Sequence, residues 1–285
     1  MGSDEADSSR RFLALHTSER PLLLPNPWDL GSARLLSWLG FKALATTSGG
    51  FAASLGRLDG NVRREEAIAH AVAVAEATGL PVSADFERCF ADDPAGVGET
   101  VGLAREAGIA GCSVEDWSGH DIYDLDMATE RVAAAAEAAH AGPPHLVLTA
   151  RAENHAHGRH DLDDTITRLQ AYQQAGADVL FAPRLRGIEQ VRAVLRSIDR
   201  PLNVLVWRGV PPIAELADAG VSRVSVGSSF AFAAYGTLLE AARELRDVGT
   251  YSYLERARVG YYEGANEAFA QSGEEPDPPT HKETQ

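Results

Sequence analysis

Pro81-Val82-Ser83-Ala84-Asp85-Phe86-Glu87 is a short apolar run that ends in two acids one residue apart. It follows a helical stretch that stops at Gly79, so residues 81–84 read as a buried strand. On an extended chain alternate side chains share a side, which lets Asp85 and Glu87 face one centre. Two crowded acids repel unless a positive charge sits between them. A hard divalent cation is the usual solution, and Mg²⁺ takes a few carboxylates together with several waters. Taken alone, the pair also fits two solvated loop acids; the rest of the chain decides between the readings.

The same unit recurs on both sides of this stretch. Apolar runs at residues 22–24, 41–47, 110–114, 145–150, 178–182, 202–206 and 221–226 alternate with segments of helical spacing at 32–39, 63–78, 94–107, 126–141, 161–175, 188–198, 211–219 and 230–248. The strands are nearly continuous in apolar character rather than alternating, as in a parallel sheet covered on both faces. Eight strand–helix units over roughly 230 residues predict a (β/α)₈ TIM barrel across residues 21–249. A doubly wound open sheet is the alternative, but no Gly-rich phosphate fingerprint follows the first strand. Residues 1–20 read as a flexible N-terminal segment and 272–285 as a disordered tail. Residues 250–271 hold Tyr251, Tyr253, Tyr261, Tyr262 and Phe269, which predicts a helical extension packed on the barrel or on a neighbouring subunit.

Composition narrows the function. The 285 residues carry a net charge of −15, which excludes a basic face for nucleic acid or an anionic membrane. No apolar run approaches a membrane span, and the first residues lack the apolar core of a signal peptide. Two cysteines without metal-ligand spacing fit a disulfide-free cytoplasmic enzyme.

Barrel enzymes work at the C-terminal ends of their strands. Strand two ends in Ser48-Gly49-Gly50, whose backbone N–H groups suit an oxyanion; strand three ends in Asp85 and Glu87, and strand four in Glu115-Asp116. Strand five offers Arg151 and Glu153, and strand six Arg184; Arg is the bidentate partner of a substrate carboxylate. His155, His157 and His160 fit no common closed zinc spacing and read as a polar loop. Cys89 reads as a loop-packing residue and Cys112 as core.

In order along the chain, 24–29 (LPNPWD), 45–50 (ATTSGG), 52–56 (AASLG) leading to Asp59-Gly60, Asp85-x-Glu87, 113–116 (SVED) and Ala150-Arg151 resemble the isocitrate lyase/phosphoenolpyruvate mutase superfamily. The late 181–183 (FAP) and 224–227 (VSVG) segments resemble it too, so the likeness spans roughly residues 20–245. The resemblance implies a barrel whose last helix is exchanged between subunits of a homodimer or homotetramer. It also implies Mg²⁺, with Mn²⁺ as a substitute, and an enolate of a pyruvate-like unit as the shared intermediate. On that basis Asp85 would ligate the metal directly, and Glu87 and Glu115 would hold its waters. Ser48, Gly49 and Gly50 would bind the 2-oxo acid end, Asp59 would lie on the mobile loop after strand two, and Arg151 would bind carboxylate.

The departures are equally specific. The lyases carry a Cys-containing segment soon after the strand-four Glu-Asp, where this chain reads 115–123 (EDWSGHDIY), so isocitrate and methylisocitrate cleavage are not expected. The Lys-Thr-Asn-Ser-like loop of the mutase and phosphonopyruvate hydrolase branch is also absent, and Cys89-Phe90-Ala91 stands where members often have Gly-Tyr-Gly. His120, beside Trp117 on the strand-four loop, is the candidate to replace the missing Cys as proton donor. The expected activity is therefore Mg²⁺-dependent making or breaking of the carbon–carbon bond next to a pyruvyl or oxalyl unit of a small 2-oxo or 2-hydroxy (di)carboxylate. Phosphonate P–C chemistry, with Arg184 in a phosphoryl pocket, and a catalytically inactive binding barrel are the alternatives.

Overall fold

The computed structural model of the protein describes residues 2–143 and 145–270. Helix α1 (Gly2–Leu15) precedes β1 (Leu22–Leu24) and α2 (Leu30–Trp38). Strand β2 (Leu44–Ala45) is followed by the short α3 (Ser48–Ser54) and by α4 (Arg64–Thr78). The units then alternate as β3 (Val82–Asp85), α5 (Pro94–Glu106), β4 (Gly111–Glu115), α6 (Leu125–His140), β5 (Val147–Arg151) and α7 (Leu162–Gln174). Next come β6 (Val179–Phe181), α8 (Gly187–Leu195), β7 (Leu202–Leu205), α9 (Ile213–Ala219), β8 (Arg223–Ser225) and α10 (Ser229–Arg243). Helices α11 (Leu254–Gly260) and α12 (Asn266–Ala270) complete the described chain, which contains no helix long and apolar enough to cross a membrane.

All eight strands are parallel, and each pairs with its neighbours in chain order, with β1 beside β8. This is the (β/α)₈ barrel expected from the continuous apolar strands, and sequential order around a ring rules out the doubly wound alternative. The ring is closed by side-chain and loop contacts where a β1–β2 ladder would run. Ala45 N donates to Pro25 O at 3.1 Å, and Asn26 Nδ2 donates to Thr46 O at 2.8 Å. On its other side Asn26 Oδ1 accepts from Val226 N at 3.0 Å and Gly227 N at 2.8 Å, so one amide staples strand ends from both sides of the seam.

Local chemistry sets the element ends. Asp29, Asp93, Asp124 and Asp161 cap α2, α5, α6 and α7 by accepting backbone N–H groups of the first turn. Gly79 and Gly220, both left-handed, stop α4 and α9. Small residues let the outer helices lie close: a Cβ on Gly98 of α5 would sit 3.4 Å from Ala134 O on α6.

The N-terminal segment differs from expectation. Residues 2–15 are helical rather than an irregular flexible arm, and Phe12 is fully buried beneath the barrel. Its ring fills space that a side chain at Gly111 would need, with 2.8 Å between that Cβ position and Phe12 Cε1. Phe12, Leu15 and His16 stand at i, i+3 and i+4, a single apolar stripe too brief to register against the polar residues around it.

At the other end the chain leaves apolar surface uncovered. Helix α10 buries only Ala231, while Phe232, Leu238 and Leu239 are 54%, 63% and 53% exposed. Residues 254–270 are helical and fold back so that α12 meets α2. The tail at 272–285 lies outside the described residues. A face of this kind is expected to be covered by a second copy of the chain. Sedimentation of the full-length protein is then expected to give a dimer or tetramer, and a chain ending at Val248 to aggregate or melt earlier. A well-behaved monomer of unchanged stability from the shortened chain would tell against this assembly.

Candidate active site

The parallel register places Glu115 of β4 beside Arg151 of β5, and Asp85 of β3 beside Ser113. Their side chains meet at the C-terminal rim. Arg151 Nη1 donates to Asp85 Oδ1 at 2.9 Å, its Nη2 lies 3.1 Å from Glu115 Oε2, and its Nε donates to Glu153 Oε1 at 2.8 Å. Burial works against the Arg151 cation, but Glu115, Glu153 and Asp85 together more than offset it and hold the proton on. Burial raises the Glu115 carboxyl well above its ordinary range despite Arg151. Glu87 is pushed up to about 7, first by burial and then by the charges of Asp85 and Asp59. Glu87 shares a small recess with Asp85, His70 and Phe90 beside the main cavity. The structure thus brings Asp85, Glu115 and Arg151 into one cluster with Glu87 adjoining it. Arg151, expected to meet a substrate carboxylate, is already engaged by three of the protein's own.

Asp116 follows Glu115 but faces the opposite way, as consecutive residues of an extended chain must. It is buried on the helix side, where Oδ2 accepts Tyr172 OH at 2.6 Å and Arg168 Nη1 at 3.0 Å from α7. Its Oδ1 accepts Glu153 N at 2.7 Å. Asp116 therefore fixes the start of the β5 loop, and with it the Glu153 that braces Arg151.

Ser48 opens α3, and its N–H donates to Asp85 Oδ2 at 3.1 Å. The three strand-two residues do not act alike. Ser48 lines the cavity, whereas Gly49 and Gly50 are buried and absent from its wall. A Cβ on Gly49 would stand 2.9 Å from Ser228 Oγ and 3.0 Å from Asp59 Oδ2, and one on Gly50 2.5 Å from Thr47 Cγ2. Both glycines sit in close packing, tightest at Gly50, and Gly50 N–H turns back to Thr47 Oγ1 at 3.4 Å. Asp59 is solvent-exposed as a residue, yet its carboxyl borders the cavity, where loss of water and the Asp85 charge raise its pKa.

His120 does not reach the site. It is exposed, its backbone N–H is tied to Ser118 Oγ at 3.2 Å, and it is absent from the cavity wall. The tight turn closed by the Trp117–Ile122 bridge turns it outward. The imidazole at the cavity is His157, stacked on Trp117 at 3.6 Å between ring centres, with Nε2 3.9 Å from Glu153 Oε2. Burial lowers the His157 pKa, against the opposing charge of Glu153. The histidine-rich loop read as merely polar thus supplies a cavity residue. The other two histidines meet each other away from the cavity wall: His155 is buried with its ring edge-on to His160 at 5.6 Å between centres, and His160 Nε2 lies 3.1 Å from Arg186 Nη2. Cys89 is fully buried with its thiol pushed up to about 12, a packing residue as expected.

These groups surround a cavity of about 350 Å³ that runs from Asp59, Asp85 and Arg184 at the mouth to Asn203 and Arg223 inside the barrel. All four non-glycine residues with positive φ among the described residues, Glu87, Cys89, Phe90 and Arg184, lie in the loops leaving β3 and β6. Backbone strain of this kind collects where a loop is held for function.

Fold and rim together define a (β/α)₈ barrel of the lyase and mutase class. The chain belongs to the phosphoenolpyruvate phosphomutase family, whose model matches residues 12–246. It is similar to a solved protein of Burkholderia cenocepacia provisionally described as a lyase/mutase, with 48% identity, a TM-score of 0.86, and coverage of 88% of this chain and 92% of that one. It is 34% identical over 238 residues to an uncharacterized protein of Mycobacterium tuberculosis, covering 83% of this chain and 89% of that protein. It is 30% identical over 257 residues to oxaloacetate decarboxylase of Chromohalobacter salexigens, covering 85% and 86%. The superfamily comprises Mg²⁺-dependent lyases and mutases of pyruvyl- or oxalyl-type substrates.

The Asp116 network has a measurable weight. Arg168→Met leaves the buried Asp116 carboxylate without its cation and is expected to cost about 3–5 kcal/mol in urea unfolding. A loss below about 1 kcal/mol, the scale of an exposed pair, would show that the loop is held by other means.

Proposed function

We propose that the protein is a Mg²⁺-dependent lyase that makes or breaks the carbon–carbon bond next to the pyruvyl or oxalyl unit of a small 2-oxo or 2-hydroxy acid. The observation that carries this reading is the convergence of Asp85 and Glu115 from adjacent strands on one guanidinium at the barrel rim. The donor set suits the ion in kind: Asp85, Glu87 and Glu115 offer hard carboxylate oxygens, and burial of Glu87 and Glu115 marks acids that a divalent cation would relieve. Their oxygens do not all gather within 4.8 Å of one another, so waters would have to complete the shell. Asp85 would hold the ion directly, with Glu87 and Glu115 on its waters. When bound, the cation supplies electrostatic stabilisation to the negative charge that develops on the substrate's oxygens.

The chain's own residues supply the rest. Ser48, at the mouth of the cavity, and the guanidiniums of Arg151 and Arg184 orient the acid end of the substrate. Arg151 does so while Asp85, Glu115 and Glu153 fix its plane. His157, held flat against Trp117, moves the proton that bond making or breaking requires, a role His120 cannot fill from the surface. Asp59 closes the open side on the loop that follows α3. Phosphonate chemistry is the second reading, favoured by the arginines Arg151, Arg184 and Arg223 along one cavity. A scaffold without catalysis would gain nothing from buried, crowded acids, which argues against the inactive barrel.

The test combines turnover and calorimetry. Mg²⁺-dependent release of pyruvate or oxalate is expected from some member of a panel of 2-oxo and 2-hydroxy acids. Asp85→Ala should abolish Mg²⁺ binding while far-UV circular dichroism shows the barrel still folded. His157→Asn should lower turnover by about two to four orders of magnitude with Mg²⁺ binding intact, and His120→Asn should leave turnover unaltered. Unchanged Mg²⁺ affinity in Asp85→Ala would remove the metal from this site, and full turnover in His157→Asn would move the proton role elsewhere.

A further inference from the structure

Arg223, the first residue of β8, lies inside the barrel and is 3% exposed. Its Nε donates to Asn203 Oδ1 at 2.9 Å, and its Nη1 lies 3.4 Å from His16 Nε2. His16 Nδ1 stands 2.8 Å from Phe12 O; a proton donated there leaves the Nε2 lone pair facing Arg223. Both partners are therefore neutral. No carboxylate of the described residues stands within ion-pair distance of Arg223, and its Nη2 has no hydrogen-bond partner among them.

Two of the other enclosed arginines have acid partners: Arg168 is paired with Asp116 and Asp164, and Arg151 with three acids. The third, Arg131, meets no carboxylate of the described residues but has both Nη groups closed off by the backbone carbonyls of Arg88, Ala91 and Asp92. Burial, then the charge of Arg151, lowers Arg223 to about 9, the mark of a cation held in an unfavourable place. An unpaired charge removed from water costs several kcal/mol, which a counter-charge brought by an incoming group would offset. The same guanidinium lines the cavity whose other end is the carboxylate rim, and Asn203 and Ser225 line it alongside. Asn203 Nδ2 donates to Ser225 Oγ at 3.0 Å, which turns Asn203 Oδ1 toward Arg223.

We infer that Arg223, oriented by Asn203, forms an anion-binding floor that takes the second acid group, carboxylate or phosphonate, of a substrate whose 2-oxo acid end lies at the rim. Assigning the group to a substrate rests on the lyase reading above; the anion site itself does not. The site selects two-headed anions over pyruvate-sized ones, because a single acid group cannot neutralise both ends of the cavity.

Thermal melting of the full-length protein in EDTA, at ionic strength fixed with chloride, tests the floor without the metal. Malonate and inorganic phosphate serve as the carboxylate and tetrahedral probes. At least one is expected to raise the wild-type Tm by about 2–4 °C, the shift that roughly 1 kcal/mol of ligand stabilisation gives in a chain of this size. The shift should vanish in Arg223→Met, fall in Asn203→Ala and persist in Asp85→Ala, and the stronger probe identifies the acid class. Should Arg223→Met fail to fold, the wild-type shift and its reduction in Asn203→Ala carry the test. No wild-type shift with either probe, or equal shifts in wild type and both floor variants, overturns the proposal. Failure of the lyase reading would look different: anion shifts intact, with no Mg²⁺-dependent turnover.

Discussion

One guanidinium answers three carboxylates at the rim, and much of the surrounding architecture serves to keep it there. Coulombic repulsion among Asp85, Glu115 and Glu153 would spread the ends of β3, β4 and β5 if Arg151 were absent or misaimed. Its aim depends on Glu153, whose backbone is fixed by Asp116, which in turn is held by Arg168 and Tyr172 from α7. The chain of contacts runs from the outer helix layer through the strand ends to the cavity. A rim built this way is tied by hydrogen bonds where charge is concentrated, while Asp59 stands on an exposed loop.

The barrel was legible because parallel strands buried on both faces write themselves as unbroken apolar runs, each stopped by a polar strand end. The acids at those ends were legible too: Asp85, Glu87, Glu115 and Arg151 fall at the first positions where a side chain can leave the core. What the sequence did not disclose was direction. Whether His120 or His157 faces the cavity depends on a six-residue turn closed by the Trp117–Ile122 bridge and on stacking across two loops, neither of which has a local signature. Arg151 read as a substrate ligand because Arg types suit carboxylates, and nothing in one dimension shows that three protein acids reach it first. Gly49 and Gly50 read as open donors, whereas their missing side chains make room for Ser228, Asp59 and Thr47.

A usable signal did exist for the floor of the cavity. Asn203 in β7, and Arg223 and Ser225 in β8, break runs that are otherwise apolar, at alternating positions that share the inner face. Polar residues at inward positions of a closed barrel cannot be solvated from outside, so they must bind one another or something that enters. The helix beneath the barrel escaped notice for the opposite reason. Its contribution is one buried aromatic, Phe12, in a segment whose average character is that of a solvated arm.

The seam between β1 and β2 gives the barrel an uneven circumference. Around most of the ring, neighbouring strands are joined by ladders of several main-chain bonds. At the seam the joint is one main-chain bond and the amide of Asn26, which reaches Thr46 on one side and Val226 and Gly227 on the other. A ladder resists sliding in steps of a whole residue, but a single side chain can follow a small displacement by rotating. The stretch of ring beside α3 and Ser48 is therefore the part of the barrel's circumference that the fewest main-chain bonds hold.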